Sequence, residues 1–161
     1  MVLFVGFLVA YGVRFINHSK PAYKTETKKH IQITFDEREI KINRLFKKYN
    51  SPLEARASSF IDASEHYHID YKILVAISGI ESRFGTSSLC GQYNPFGYGN
   101  PCWDFRNFDE AIWQVAKTIG TATAYKAYRD SNRLEELAKV YNQQDTDNWI
   151  KSVGYFKKEV E

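Results

Sequence analysis

The sequence predicts a mainly α-helical fold, and three observations support this prediction. Residues with a strong preference for helix N-termini recur along residues 34–161. Apolar side chains follow them at spacings of three and four residues, which places these side chains on one face of a helix. No segment of useful length alternates apolar and polar residues as a half-buried strand would. We therefore expect one domain of packed helices over residues 34–161.

Six helices are predicted in this domain. Each begins at a residue that can accept hydrogen bonds from the N–H groups of the first turn, and four of these residues have a glutamate three positions later, as in a capping box. We expect the third helix to run to about Phe84 and to end at Gly85. The last helix carries an apolar stripe that includes Trp149. In chain order, the predicted helix starts are Thr34, Ser51, Asp70, Asn107, Asn132 and Asp145.

An apolar segment precedes this domain. Residues 1–13 carry no charge, and with Phe15 and Ile16 the segment reaches the lower limit of length for a bilayer-spanning helix. We expect residues 1–16 to be a membrane anchor or an uncleaved signal segment, with a buried N-terminal helix as the alternative. Residues 17–33 are polar, basic and without periodicity, so we interpret them as a tether.

Charge is distributed unevenly along the chain. Residues 1–50 contain ten basic and four acidic side chains, whereas residues 51–161 contain twelve and fifteen. This distribution does not indicate a uniformly basic surface, so we expect no nucleic-acid partner. The basic tether suits an anionic surface such as lipid headgroups. Its position directly after the apolar segment would, however, favour retention of the tether on the cytoplasmic side.

A long irregular segment lies between the third and fourth predicted helices. Loops as long as residues 86–106 are uncommon within compact domains and are often functional. Its glycines let the backbone approach a ligand closely, and its aromatic side chains offer flat apolar faces. The alternative is that the aromatic side chains pack on the core as a satellite cluster. The four aromatic residues are Tyr93, Phe96, Tyr98 and Trp103.

Cys90 and Cys102 bracket most of this loop. A disulfide between them would stabilise the fold by about 2–3 kcal/mol and would require an oxidising compartment. The alternative is a pair of reduced, buried thiols in a cytosolic protein. Neither cysteine belongs to a metal-binding or redox motif, and His66 and His68 point to different helix faces, so we expect no metal and no cofactor. A disulfide together with the apolar N-terminus favours an extracytoplasmic, membrane-anchored location.

Glu81 differs from most other acidic residues of the chain, because no basic residue lies three or four positions away from it. It shares a face with Leu74 and Ile77 on the most apolar predicted helix. Burial and the negative end of the helix dipole would both raise its pKa, which suits a general acid near neutral pH. The alternative is a partly solvated carboxylate that pairs with Arg83 or a distant base.

Three segments in order, AISGIESRFGTSS, NPFGYG and VYNQ, resemble a known group of proteins. Over roughly residues 55–160 the chain resembles the lysozyme-like superfamily of bacterial cell-wall enzymes, in particular lytic transglycosylases and endo-β-N-acetylglucosaminidases. The resemblance implies a lysozyme-like helical domain that cleaves β-1,4 bonds between N-acetylmuramic acid and N-acetylglucosamine in peptidoglycan strands. NPFG replaces the transglycosylase segment G-L-M-Q, and Gln-Gln replaces Ala-Gly after Tyr-Asn, so both hydrolase and transglycosylase remain open.

The same resemblance implies site residues. Glu81 would be the catalytic acid and base, and Tyr141 would lie near the reacting sugar. Asp104 or Asp109 could supply a second carboxylate, or Glu81 could act alone with help from the substrate's N-acetyl group. A non-catalytic glycan-binding module and a membrane-tethered interaction domain are the alternative functions. Candidates for the substrate groove are Ser82, Ser87, Ser88, Tyr93, Asn94, Phe96, Tyr98, Trp103, Tyr141 and Asn142.

Overall fold

The computed structural model describes residues 36–87 and 90–161. The predicted anchor and tether, together with Thr34 and Ser88, lie outside the described residues. Within them there are seven α-helices, one 3₁₀ turn and no strand, which confirms the prediction of a mainly α fold. None of these seven helices is both long enough and apolar enough to span a bilayer. The helices are α1 (Glu37–Lys48), α2 (Ala57–His66), α3 (Tyr71–Ser82), α4 (Phe108–Thr121), α5 (Lys126–Ser131), α6 (Leu134–Tyr141) and α7 (Thr146–Glu159), with the 3₁₀ turn at Thr123–Tyr125.

Three of the predicted helix starts are confirmed. The side chain of Asp70 accepts a hydrogen bond from the N–H of Lys72, and the side chain of Asn107 accepts one from the N–H of Glu110. Asp145 is the residue before α7, although its carboxylate accepts from the side chain of Asn148 rather than from the backbone.

The other three predicted starts are displaced. Asp36 caps α1 by accepting a hydrogen bond from the N–H of Arg38. The hydroxyl of Ser51 accepts from the N–H of Leu53, as a cap does, and donates to the Phe84 carbonyl oxygen, but it opens only a turn, and α2 begins at Ala57. Asn132 ends α5 in the left-handed conformation instead of opening α6. The short helix α5 and the 3₁₀ turn were not predicted.

The third helix ends two residues earlier than expected. Arg83, with a φ of 50°, adopts the left-handed conformation directly after α3, and the chain then turns so that Phe84 is fully buried. The N–H of Phe84 donates to the carbonyl oxygen of Ser78 over 2.8 Å, which satisfies one of the free carbonyl groups at the helix end. Gly85 is therefore part of the turn rather than the residue that ends the helix.

Helix α3 lies at the centre of the domain. Every residue from 73 to 79 is buried, as expected for a helix that is apolar on all sides. It packs most extensively against α7 and also contacts α2 and α4. The loop that follows α3 is joined to this core through Phe96, which is fully buried and whose ring centroid lies 6.1 Å from that of Phe60. The loop is thus anchored to α2, and the hydroxyl of Ser82 at the C-terminal end of α3 holds it through the Pro95 carbonyl oxygen.

Candidate active site

Glu81 lies in the last turn of α3 and is half-buried. Its Oε1 accepts a hydrogen bond from the indole Nε1 of Trp149 on α7, over 3.1 Å. Burial raises the pKa of Glu81 above its ordinary value, and the Trp149 hydrogen bond acts in the opposite direction because it favours the ionised form. The site therefore contains a carboxyl group that stays protonated to higher pH than an exposed glutamate.

The second oxygen of this carboxyl group, Oε2, faces Gly97 of the loop. A Cβ atom at position 97 would lie 3.2 Å from Oε2, closer than ordinary contact. Gly97 also has a φ of +59°, a conformation that other residues adopt with strain. Because glycine has no side chain, the space beside Oε2 stays open on the exposed side of the loop.

Tyr141 connects three elements at this site. It lies at the end of α6, its hydroxyl donates to the Phe96 carbonyl oxygen over 2.9 Å, and its ring stacks on Trp149 with centroids 5.5 Å apart. Burial raises the pKa of Tyr141 well above its ordinary value, and the nearby Glu81 acts in the same direction. Tyr141 therefore remains a neutral phenol, and it holds the loop next to the Glu81–Trp149 pair.

A cavity of about 160 Å³ opens beside Gly97 and Tyr141. Aromatic rings and bare backbone make up most of its wall, a combination that suits an uncharged ligand with flat apolar faces. Tyr125 and Val140 belong to this wall and were not predicted as site residues. Tyr125 comes from the unpredicted 3₁₀ turn, and Val140 lies next to Tyr141 in α6. The lining residues are Gly97, Tyr98, Gly99, Tyr125, Val140 and Tyr141.

A larger cavity of about 290 Å³ lies between α1 and the C-terminal end of α7. Long charged side chains line most of it, and two of them, Lys48 and Glu159, form an ion pair. It contains no aromatic residue. We place the candidate site at the smaller cavity, because Gly97, which lies beside the half-buried carboxyl group of Glu81, lines that cavity.

Asn94 organises the loop from inside. It is 1% exposed, its Nδ2 donates to the carbonyl oxygens of Tyr98 and Trp103, and its Oδ1 accepts from the N–H of Tyr98. A disulfide joins Cys90 and Cys102, as predicted, and so ties the two arms of the same loop together. The backbone around Gly97 is therefore shaped by side chains within the loop.

Two further predicted groove residues are buried as well. Ser82 is 2% exposed, and its hydroxyl donates to the Pro95 carbonyl oxygen and accepts from the N–H of Gly85. Phe96 packs in the core through its ring and meets Tyr141 through its backbone. Ser82 therefore holds the loop against α3, Phe96 anchors it in the core, and Asn94 braces it from within.

The aromatic loop residues have mixed surroundings. Trp103 is 50% exposed and packs edge-on against Tyr98, with ring centroids 5.2 Å apart. Tyr98 lines the cavity, and its hydroxyl is hydrogen-bonded to Thr118 of α4. Tyr93 is half-buried and packs edge-on against Phe108. Tyr98 thus lies at the cavity, Trp103 packs on Tyr98 outside the cavity, and Tyr93 packs against α4.

The remaining polar candidates lie around the edge of this region. Ser87 is exposed, and its hydroxyl donates to the Ser82 carbonyl oxygen. Asn142 follows α6, and its Oδ1 accepts from the N–H groups of Gln144 and Asp145, which shapes the turn into α7. Ser88 lies outside the described residues.

The two candidates for a second carboxylate have different surroundings. Asp109 accepts a hydrogen bond from Ser59 of α2 and forms an ion pair with Arg56. Asp104 is exposed, and its Oδ1 lies 3.3 Å from the position that a Cβ on Gly91 would occupy. In the part of the chain that the structure describes, Glu81 is the carboxylate that adjoins the aromatic cavity through Gly97.

The comparisons with known proteins give limited but consistent findings. No protein-family profile matches this chain. Two curated proteins from Streptococcus pneumoniae, strains TIGR4 and R6, are each 38% identical to it over 79 residues. Both are named "Putative endo-beta-N-acetylglucosaminidase". The similarity covers 44% of this chain and only 12% and 11% of the two relatives, so it concerns a small part of much longer proteins.

Proposed function

We propose that this protein is a glycosidase of the lysozyme-like superfamily that cleaves peptidoglycan. Its substrate bonds would be the β-1,4 linkages between N-acetylmuramic acid and N-acetylglucosamine. The observation that carries this proposal is Glu81, a half-buried carboxyl group with a raised pKa, placed beside a cavity lined by aromatic side chains. The names of the two streptococcal relatives support the same class of activity.

Glycoside cleavage requires an acid that protonates the leaving oxygen. In its protonated form Glu81 supplies this proton, and burial raises its pKa so that the proton is retained to higher pH than on an exposed glutamate. After transfer, the negative charge on the carboxylate is stabilised by the N–H of Trp149. The same carboxylate can then act as the base in a second step.

The cavity has the chemistry that a pyranose ring requires. The rings of Tyr98, Tyr125 and Tyr141 provide apolar faces for the sugar, and the backbone of Gly97 and Gly99 allows close approach. The half-exposed indole of Trp103 packs against Tyr98 and extends the aromatic surface beyond the cavity. We therefore propose Tyr98, Trp103 and Tyr141 as substrate contacts.

Since Asp104 and Asp109 have other surroundings, we propose that Glu81 is the single catalytic carboxylate. We propose that the oxocarbenium-like centre is then trapped by a group of the substrate itself. If the N-acetyl oxygen attacks, water opens the resulting ring and leaves a reducing end. If a hydroxyl of the same sugar attacks and Glu81 takes its proton, an anhydro-sugar is formed. The end group of the product distinguishes the two reactions.

We also propose an extracytoplasmic location with residues 1–16 as the anchor. The support is the Cys90–Cys102 disulfide, because structural disulfides persist mainly in oxidising compartments. A cell-wall substrate would be reached on that side of the membrane.

The test replaces Glu81 by Gln, which keeps the shape of the side chain but removes its acidic proton. The full chain and the variant are incubated with purified peptidoglycan, and released muropeptides are measured by mass spectrometry. We expect the variant to be slower by roughly 100-fold or more, the usual contribution of a general acid. Glu54→Gln is the control, because it removes the same charge from an exposed turn.

Equal release by the full chain and the Glu81→Gln variant would refute the role of Glu81. Release by neither, with both still retained on glycan strands, would establish a glycan-binding module in place of an enzyme. Anhydro ends among the products would identify a lytic transglycosylase, and reducing ends would identify a hydrolase.

A further inference from the structure

The two oxygens of the Glu81 carboxyl group have different surroundings. Oε1 points into the protein and accepts the hydrogen bond from Trp149 Nε1 over 3.1 Å. Oε2 points toward Gly97, where the absence of a side chain leaves room for an incoming atom. The carboxyl group is therefore held in one orientation, with one oxygen occupied and the other facing the loop.

We propose that Trp149 is a positioning residue that makes Oε2 of Glu81 the proton-donating oxygen of the site. In a neutral carboxyl group the carbonyl oxygen is the better acceptor and the hydroxyl oxygen carries the proton. A donor fixed on Oε1 therefore favours the form in which the proton is on Oε2. The catalytic consequence of this inference rests on the proposed function, whereas the positioning itself does not.

Trp149 is well suited to this role, because its indole is held rigidly. It is 3% exposed, and its ring stacks on Tyr141, which is itself tied to the loop through the Phe96 carbonyl oxygen. An indole N–H donates but does not accept a hydrogen bond, so it cannot compete for the proton of Glu81. The contact joins residues that are 68 positions apart in the sequence.

Among the groups that face Glu81, Trp149 is the one whose hydrogen bond affects the pKa of its carboxyl group. Helix α6 contributes Tyr141, a titratable group that stays neutral. The loop contributes the backbone of Gly97, and α7 contributes the neutral indole of Trp149. Arg83, two positions further along the chain, is exposed. Burial raises the pKa of Glu81 and the indole hydrogen bond opposes this effect, so removal of the N–H should raise the pKa further.

The first test measures this effect directly. Trp149→Phe removes the N–H, and replacement of Trp149 by benzothienylalanine removes it while keeping the size of the indole. The pKa of Glu81 is followed by ¹³C NMR of labelled glutamate carboxyl groups, with Glu81→Gln used to assign the signal. We expect the pKa of Glu81 to rise in both variants. The pH at which activity is lost on the alkaline side should rise by the same amount.

Trp113→Phe is the matched control, because Trp113 is an indole on the surface of α4 with no contact to Glu81. The titration curve of Glu81 in the Trp113→Phe variant should overlay that of Glu81 in the unchanged chain. An unchanged Glu81 pKa in the benzothienylalanine variant would overturn the inference, even if that variant lost activity, because the loss would then come from packing alone.

The second test concerns the approach to Oε2. Gly97→Ala would place a methyl group 3.2 Å from Oε2, whereas Gly85→Ala would place one 3.2 Å from Pro52 Cγ, at a similarly positive φ of +80°. Both variants carry comparable backbone strain, but only the first closes the space beside the carboxyl group. We expect Gly97→Ala to reduce turnover by about tenfold or more relative to Gly85→Ala. Equal turnover in the two variants would contradict the assignment of Oε2.

The two proposals can fail separately. If peptidoglycan is not cleaved but the Glu81 pKa rises on loss of the indole N–H, the proposed function is wrong and the positioning role of Trp149 holds. If peptidoglycan is cleaved and the pKa does not move, the proposed function holds and the positioning role is wrong.

Discussion

The hydroxyl group of Ser82 is used entirely within the protein. It is placed between the carbonyl oxygens of Pro95 and Ser78, at 2.8 and 3.1 Å, and it accepts from the N–H of Gly85 at 2.7 Å. These contacts fasten the start of the loop to the end of α3. The neighbouring Ser87 is exposed and donates one weaker hydrogen bond, over 3.2 Å.

Ser82→Ala should therefore lower the free energy of unfolding by about 1–3 kcal/mol, because it removes the hydrogen bonds of a buried hydroxyl and leaves the partly buried N–H of Gly85 without its acceptor. Ser87→Ala should change it by less than about 0.5 kcal/mol, as is usual for an exposed side chain. Urea denaturation of both variants measures the difference. If the two substitutions lower the free energy of unfolding equally, Ser82 does not have the structural role that its burial indicates.

At the scale of helices, glycine decides how closely α3 and α7 can approach. A Cβ at Gly79 of α3 would lie 2.7 Å from Phe84 Cζ and 3.1 Å from Phe156 Cδ2 of α7. Gly154 of α7, in contrast, has no atom within 4 Å of the position that its Cβ would occupy. The two glycines thus have opposite roles, although both lie inside helices.

We expect Gly79→Ala to destabilise the fold by roughly 1–3 kcal/mol, because two aromatic side chains must move to admit the methyl group. Gly154→Ala should stabilise it by roughly 0.5–1 kcal/mol, since alanine is the better helix former and the space is free. Thermal melts of the two variants beside the unchanged chain test both signs. A stabilising Gly79→Ala would mean that α3 and α7 are less tightly packed than the structure indicates.

Helix positions could be predicted more accurately than helix ends. The caps at Asp70 and Asn107 were identified correctly, because a side chain that bonds its own first turn is a local feature. Ser51 also accepts from the N–H two residues later, but the turn that it opens does not continue as a helix, and its hydroxyl donates to Phe84, which is 33 positions away in the sequence. Asn132 ends one helix instead of opening the next, since it adopts the left-handed conformation and Arg133 is the residue that precedes α6.

For the molecule as a whole, the buried carboxyl group links stability to pH. In the unfolded chain Glu81 titrates near its ordinary pKa of 4.5, and in the folded chain burial raises that pKa. Below about pH 4.5 the group is neutral in both states and carries no penalty. As the pH rises through the folded pKa, the unfolded state ionises first, so stability is lost. Above the folded pKa this contribution no longer changes.

The Glu81→Gln variant lacks this titration. It should therefore gain stability relative to the unchanged chain as the pH rises from about 4.5, and the gain should level off above the folded pKa of Glu81. Denaturation midpoints of both proteins between about pH 3 and pH 9 provide the measurement, with Glu54→Gln as the control for loss of an exposed charge. A difference that does not depend on pH would show that the carboxyl group is not destabilised by burial.

The sequence by itself determined the features that depend on neighbours along the chain. These are the mainly α fold, the long loop after the third helix, the cysteine pair that closes it and the unusual setting of Glu81 on an apolar helix. Only the tertiary structure decided which groups meet that carboxyl group. Trp149 was predicted as a member of an apolar stripe, and its N–H reaches Glu81 because α7 packs along α3. Likewise, the side chains of Asn94 and Ser82 were predicted to line the groove, whereas in the structure they are buried and donate hydrogen bonds to carbonyl groups of the loop. Spacing in the sequence defines the face of one helix, whereas a contact between two helices depends on how their side chains pack when the core forms.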